Sequence, residues 1–100
     1  MSYMNDIMTE AERLQRLQKL KSNFPVLGEA IFGAWWKAPM GPALGIHPRT
    51  FGRWLQKGGS PPETADPEKI GKLLTNLLER KRTEVTEAKQ VLANWSNGHR

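Results

Sequence analysis

The sequence predicts an all-α fold, and three observations carry that prediction. Apolar residues recur at helical steps of three and four along most of the chain. No stretch alternates apolar and polar residues as a half-buried strand does. The helical runs are separated by proline, glycine and capping residues, which punctuate helices rather than sheets. About five helices are expected, in one compact domain with a long C-terminal helix.

The elements follow in order. Residues 1–8 lack helical patterning and are expected to be disordered, and the single domain is expected over residues 9–95. Thr9-Glu10-Ala11-Glu12 has the form of a capping box, in which the Thr9 hydroxyl takes the Glu12 amide. Leu14, Leu17 and Leu20 follow at helical spacing, between Arg13, Arg16, Lys19 and Lys21, so a first helix is expected from Glu10 to Ser22. Pro25 is expected to break the chain there and to open a second helix. Val26, Leu27, Ala30, Ile31 and Phe32 give that second helix a largely buried stripe, and Gly33 stops it. A short helix from Pro39 to Leu44 ends at Gly45. His47-Pro48 starts the next, because a side-chain acceptor is followed by a residue with pre-set φ. Lys57-Gly58-Gly59-Ser60-Pro61-Pro62 is a loop. Asp66-Pro67-Glu68 then opens a helix over residues 67–95. Its stripe is Ile70, Leu73, Leu74, Leu77 and Leu78, continuing through Val85, Ala88, Leu92 and Trp95, and residues 96–100 form a tail.

Composition narrows the function classes. The chain has no cysteine, which excludes a disulfide framework, a thiolate zinc site and a cysteine nucleophile. The only histidines are His47 and His99, too few for a metal or acid–base set, so neither a metal nor another cofactor is expected and the protein is not read as an enzyme. There is no signal-peptide pattern at the N-terminus and no apolar run of membrane-spanning length, so a cytoplasmic protein with no membrane partner is expected. No small-molecule substrate is implied.

The formal net charge is +5, and its distribution is more telling than its size. No acidic residue occurs between Glu29 and Glu63, while Lys37, Arg49, Arg53 and Lys57 all fall in that interval. A surface that grips a phosphate backbone needs this, because one misplaced carboxylate repels what the cations attract.

The same interval has the logic of two short helices crossing closely over a tight turn, between Lys37 and Gln56. Gly41 supplies a small residue where the second helix presses on the first. Gly45 supplies a residue tolerant of positive φ in the turn. Met40 and Leu44 form one inner face, Phe51 and Trp54 the other, and Ile46 plugs the turn. His47, Arg49, Thr50, Arg53 and Lys57 are left pointing outward.

The text FGAWWKAPMGPALGIHPRTFGRWLQKG, followed by PP, resembles the helix-turn-helix regulators of the Cro and phage-repressor type (XRE-type) found in phages and proteobacteria. The resemblance covers about Leu27 to Leu78. The sequence departs from the family pattern at His47, where serine is usual, and at Gly41, where alanine is usual. Pro42 and Gly52 are also uncommon inside these helices.

The resemblance implies a helix-turn-helix core over residues 37–56, with the helix 48–56 in the major groove. Arg49 and Arg53 would be the main base-contacting residues, since arginine is the usual bidentate reader of guanine. His47 and Thr50 would join them at base edges, while Lys37 and Lys57 would hold phosphates, which position the protein without specifying sequence. The expected partner is double-stranded DNA, a palindromic operator bound by a homodimer. Two-fold proteins of this type read half-sites one helical turn apart, ~34–36 Å. The expected activity is transcriptional regulation, as a repressor. A second reading is a non-enzymatic interaction module, an inhibitor or adaptor, that uses the helix-turn-helix as a scaffold and the C-terminal helix as its binding surface. A third is a DNA-docking subunit of a recombination or replication machine.

Two other features have a bland and a sharp reading. Trp35, Trp36, Phe51 and Trp54 are expected to be core anchors rather than a base-stacking platform. Arg80-Lys81-Arg82 is expected to be a solvated face rather than a phosphate clamp.

Overall fold

The computed structural model describes residues 8–98. Among these the chain is all-helical, with four helices: α1 (Glu10–Phe32), α2 (Lys37–Ala43), α3 (Pro48–Leu55) and α4 (Pro67–Gly98). The expected count of about five is corrected to four because Pro25 does not break the chain. The expectations for residues 1–7, 99 and 100 lie outside the described residues.

α1 is one helix of 23 residues with Pro25 inside it. A proline in a helix interior removes a hydrogen bond and costs ~3 kcal/mol or more. The stripe on the opposite side outweighs that cost. Leu17, Phe24, Gly28 and Ile31 are buried on one continuous face, with Leu20 and Leu27 packed beside them, so the apolar phase crosses position 25 without a shift. Pro25 lies on the exposed side, where water can take the carbonyl that its ring leaves without an amide. Val26, expected in a buried stripe, is 71% exposed for the same reason: it belongs to the outer face of this longer helix. The Thr9 hydroxyl caps α1 by accepting from the Glu12 amide at 3.1 Å, and Gly33, at φ 83°, ends it.

α2 begins two residues earlier than the sequence suggests, so Pro42 lies beyond its first turn. It closes on Gly45, at φ 74°. The Gly45 amide donates to Pro42 O at 3.0 Å and the Ile46 amide to Gly41 O at 2.8 Å, the paired bonds of a Schellman ending. α4 starts at Asp66, whose carboxylate accepts from the Glu68 amide at 3.0 Å.

The core joins all four helices. Leu17, Phe24, Met40 and Trp54 are wholly buried, and Phe51, Leu44, Trp36, Ile70 and Leu74 are nearly so. Phe24 of α1 meets the edge of Trp54 of α3, with ring centroids 5.1 Å apart and planes at 87°, and lies 5.6 Å from Phe51. Edge-to-face aromatic pairs add to the apolar area they bury, so this trio fixes α3 on α1. Trp36 seats on α1 at Gly28, whose missing side chain leaves room for the indole.

α1 and α4 lie side by side and run in the same direction. Arg16 and Lys19 sit beside Pro67 and Glu68 at one end, and Ile31 and Phe32 beside Leu77 and Lys81 at the other. α1 ends there, while α4 continues; every described side chain beyond Lys81 is exposed. The molecule is correspondingly elongated, 63 Å in its longest extent.

Candidate nucleic-acid interface

The turn from Leu44 to His47 delivers α3 to the surface with one face inward and one outward. Phe51 and Trp54 point into the core. Arg49, Gly52, Arg53 and Gln56 are exposed. Arg49 and Arg53 stand four residues apart, one above the other on that outer face. Nothing lies within 4 Å of the place a Cβ would take at Gly52, so the backbone between the two arginines is bare.

His47 caps the helix. Its Nδ1 accepts a hydrogen bond from the Arg49 amide at 3.1 Å. The neutral ring then carries its proton on Nε2, the one nitrogen left for an outside partner. Thr50 is half-buried. It turns to the flank of α3, into an open cleft lined also by Ile46, His47, Asp66, Lys69 and Ile70. The structure therefore brings Arg49 and Arg53 together on the outer face, holds His47 at the start of α3, and sets Thr50 aside from them.

Lys37 and Lys57 are exposed at opposite ends of the α2–α3 pair: Lys37 in the first turn of α2, its Nζ 5.9 Å from the Trp36 ring centroid, and Lys57 just past α3. The ion pair among the described residues is Arg13 with Glu10, at 2.7 Å, so none of the four cations between Glu29 and Glu63 is neutralised by a carboxylate.

Two basic residues of α1 are spent differently from these four. The Arg13 guanidinium donates to the carbonyls of Pro62 (2.7 Å), Glu63 (2.7 Å) and Ala65 (3.0 Å). Lys21 Nζ donates to Gln56 O at 2.8 Å and Gly59 O at 3.4 Å. Together they staple the loop between α3 and α4 onto α1, which fixes the direction in which α3 leaves the surface. In the sequence Arg13 and Lys21 look like any other solvated cations.

Trp35 corrects one expectation. Trp36, Phe51 and Trp54 are core anchors, but Trp35 is 87% exposed on the turn between α1 and α2. Gln56 is an addition: it is exposed, three residues beyond Arg53, and glutamine is a donor–acceptor pair suited to adenine.

Among the described residues no group of three or more histidine, cysteine, aspartate or glutamate side chains is placed to hold a metal ion. No described helix is long and apolar enough to cross a membrane. Compared with known proteins, the chain matches no family model, no curated protein and no solved structure.

Proposed function

We propose that this protein is a sequence-specific double-stranded DNA-binding regulator, a repressor of the phage-repressor type, that inserts α3 into the major groove. The observation that carries this reading is the outer face of α3. It presents Arg49 and Arg53 on one side of a short helix, with bare backbone at Gly52 between them and, among the described residues, no carboxylate paired to either. A helix end of this shape fits the groove, and each bidentate arginine–guanine contact is worth ~1–3 kcal/mol of discrimination.

The supporting contacts fall into two classes. Arg49 and Arg53 read base edges, joined at the margins by His47 through Nε2 and by Thr50. Lys37 and Lys57 hold phosphates on either side. Repression follows by occupancy: a protein seated on a promoter operator excludes polymerase.

The test is a binding selection from random duplexes, followed by gel shifts with Arg49→Ala and Arg53→Ala at moderate salt. Recovery of a consensus, with each variant losing preference at one position, supports the reading. The exposed length of α4 favours one other reading, an interaction module that uses the helix pair as a scaffold. Failure to bind any duplex in the library would select that reading instead.

A further inference from the structure

We propose that Gln56 is a third base-reading residue, which selects an adenine beside the bases read by Arg49 and Arg53, and that Lys21 of α1 is the residue that positions it. The inference rests on the regulator reading and deepens it by naming part of the sequence that α3 takes.

Gln56 stands just past the end of α3, where helices ordinarily fray. Its φ is −66°, a helical value, and only its ψ, 153°, leaves the helix. The direction in which a side chain departs is fixed before ψ acts. Gln56 therefore leaves the backbone as one more residue of α3. Arg49, Arg53 and Gln56 follow one another at steps of four and three, so they share the outward face. All three are exposed. Among the described residues Gln56 hydrogen-bonds through its backbone alone, which leaves both ends of its carboxamide open.

The backbone at Gln56 is held from two directions. Its amide donates to Arg53 O at 3.3 Å, and its carbonyl accepts from the Gly59 amide at 2.8 Å and from Lys21 Nζ at 2.8 Å. A Cβ at Gly59 would overlap the carbonyl oxygens of Arg53 and Trp54, so a residue without a side chain is needed for the loop to fold back on the end of α3. Lys21 is half-buried on α1, one turn before Phe24, which packs on Phe51 and Trp54. α1 thus grips α3 at its end as well as at its middle. The ammonium also offsets the partial negative charge of the last carbonyls of α3, which would repel phosphate. A base contact needs a supported backbone of this kind, because a loose one dissipates the discrimination.

The chemistry of the carboxamide names the base. It carries an acceptor and a donor in one plane, which match the N6 amino group and N7 of adenine. Guanine presents two acceptors at the same edge and would leave the carboxamide oxygen unpaired. Arginine has donors only, so Gln56 adds a pattern that Arg49 and Arg53 lack. From residue 49 to residue 56 is ~10.5 Å along the helix at ~1.5 Å per residue, or about three base pairs at ~3.4 Å each. With α3 lying along the groove, Arg53 falls between the other two. The adenine position then lies next to the one Arg53 reads, on the side away from Arg49.

The experiment uses the full chain and the operator it selects from random duplexes. Affinities are measured for that operator and for copies with single base-pair changes. Each preference is a ratio of two affinities of the same protein, so the folded fraction cancels. Gln56→Ala should lose the adenine preference by about 5- to 150-fold and keep the preferences at the Arg49 and Arg53 positions. Gln56→Glu, of the same shape but able only to accept, should favour cytosine there. Lys21→Met should lose most of the adenine preference while sparing the position read by Arg49, and Lys21→Arg, which still donates, should restore it. A consensus that Gln56→Ala leaves unchanged, or an equal loss on every duplex, overturns the proposal and leaves the regulator reading standing. Lys21→Met that keeps the adenine preference, or that weakens all three preferences alike, overturns the positioning role. Failure to bind any duplex overturns the regulator reading and this inference with it.

Discussion

A Cβ placed on Gly41 would lie 3.0 Å from the Cβ of Phe51 and 3.2 Å from the carbonyl oxygen of Ile46. α2 and α3 therefore touch backbone to side chain at this point, and the angle between them depends on it. Gly41→Ala asks Phe51 to give by a few tenths of an ångström. Gly41→Val cannot be accommodated that way and should lose ~1–3 kcal/mol through overpacking. Urea unfolding measures both. Equal stability of the wild type and the valine variant would mean that the two helices do not press on each other.

Gly28 is the stricter of the two glycines. A side chain there would enter the Trp36 indole, a rigid ring held at 5% exposure, rather than the tip of a flexible side chain. Gly28→Ala should thus destabilise more than Gly41→Ala, and Trp36 should become accessible to a fluorescence quencher. The reverse order of stabilities would contradict the seating of Trp36 on α1.

His47 separates capping from recognition. His47→Ala removes the acceptor for the Arg49 amide and should cost ~0.5–2 kcal/mol, as lost caps do, while His47→Ser restores a capping oxygen and most of that stability. Thermal unfolding measures this effect. DNA affinity measures the other: if Nε2 touches a base, serine recovers stability without recovering affinity.

The cations also divide. Arg13→Ala leaves three loop carbonyls without their donor and should destabilise the fold by ~1–3 kcal/mol. It should leave the salt dependence of DNA binding unchanged in the fraction still folded. Lys57→Ala should do the opposite, sparing stability while reducing the slope of log affinity against log salt by ~0.9. A changed slope for Arg13→Ala would place that residue on the DNA face and contradict its role as a staple.

Where local chemistry decides, the sequence was a good guide. The His47-Pro48 start, the Gly45 turn, the Asp66 start and the inner faces Met40–Leu44 and Phe51–Trp54 all depend on neighbours in the chain, and the structure has them. Pro25 shows the limit of local rules. Its cost is a property of the residue, whereas the gain that outweighs it comes from Leu17, Phe24 and Ile31 packing on helices distant in sequence. Trp35 and Trp36 are adjacent identical residues, and only the direction in which α1 delivers the turn decides which is buried. Of the candidate site, the outer pair Arg49 and Arg53 followed from helical spacing. The half-turned position of Thr50 did not, because it depends on the loop before α4 and the first turns of α4, distant in sequence, which line the other side of its cleft. The roles of Arg13 and Lys21 were hidden as well, since a charge count cannot distinguish a cation bonded to its own loop from one left exposed to solvent.

The central claim is that Arg49 and Arg53 on α3 read DNA sequence, and one measurement tests it most directly: the affinity of Arg53→Ala for the selected operator and for random duplex of equal length, at the same salt. If Arg53 reads a base, the variant loses ~1–3 kcal/mol on the operator, accepts other bases at one position, and loses much less on random DNA. Equal losses on both duplexes would reduce Arg53 to a phosphate contact and contradict the account.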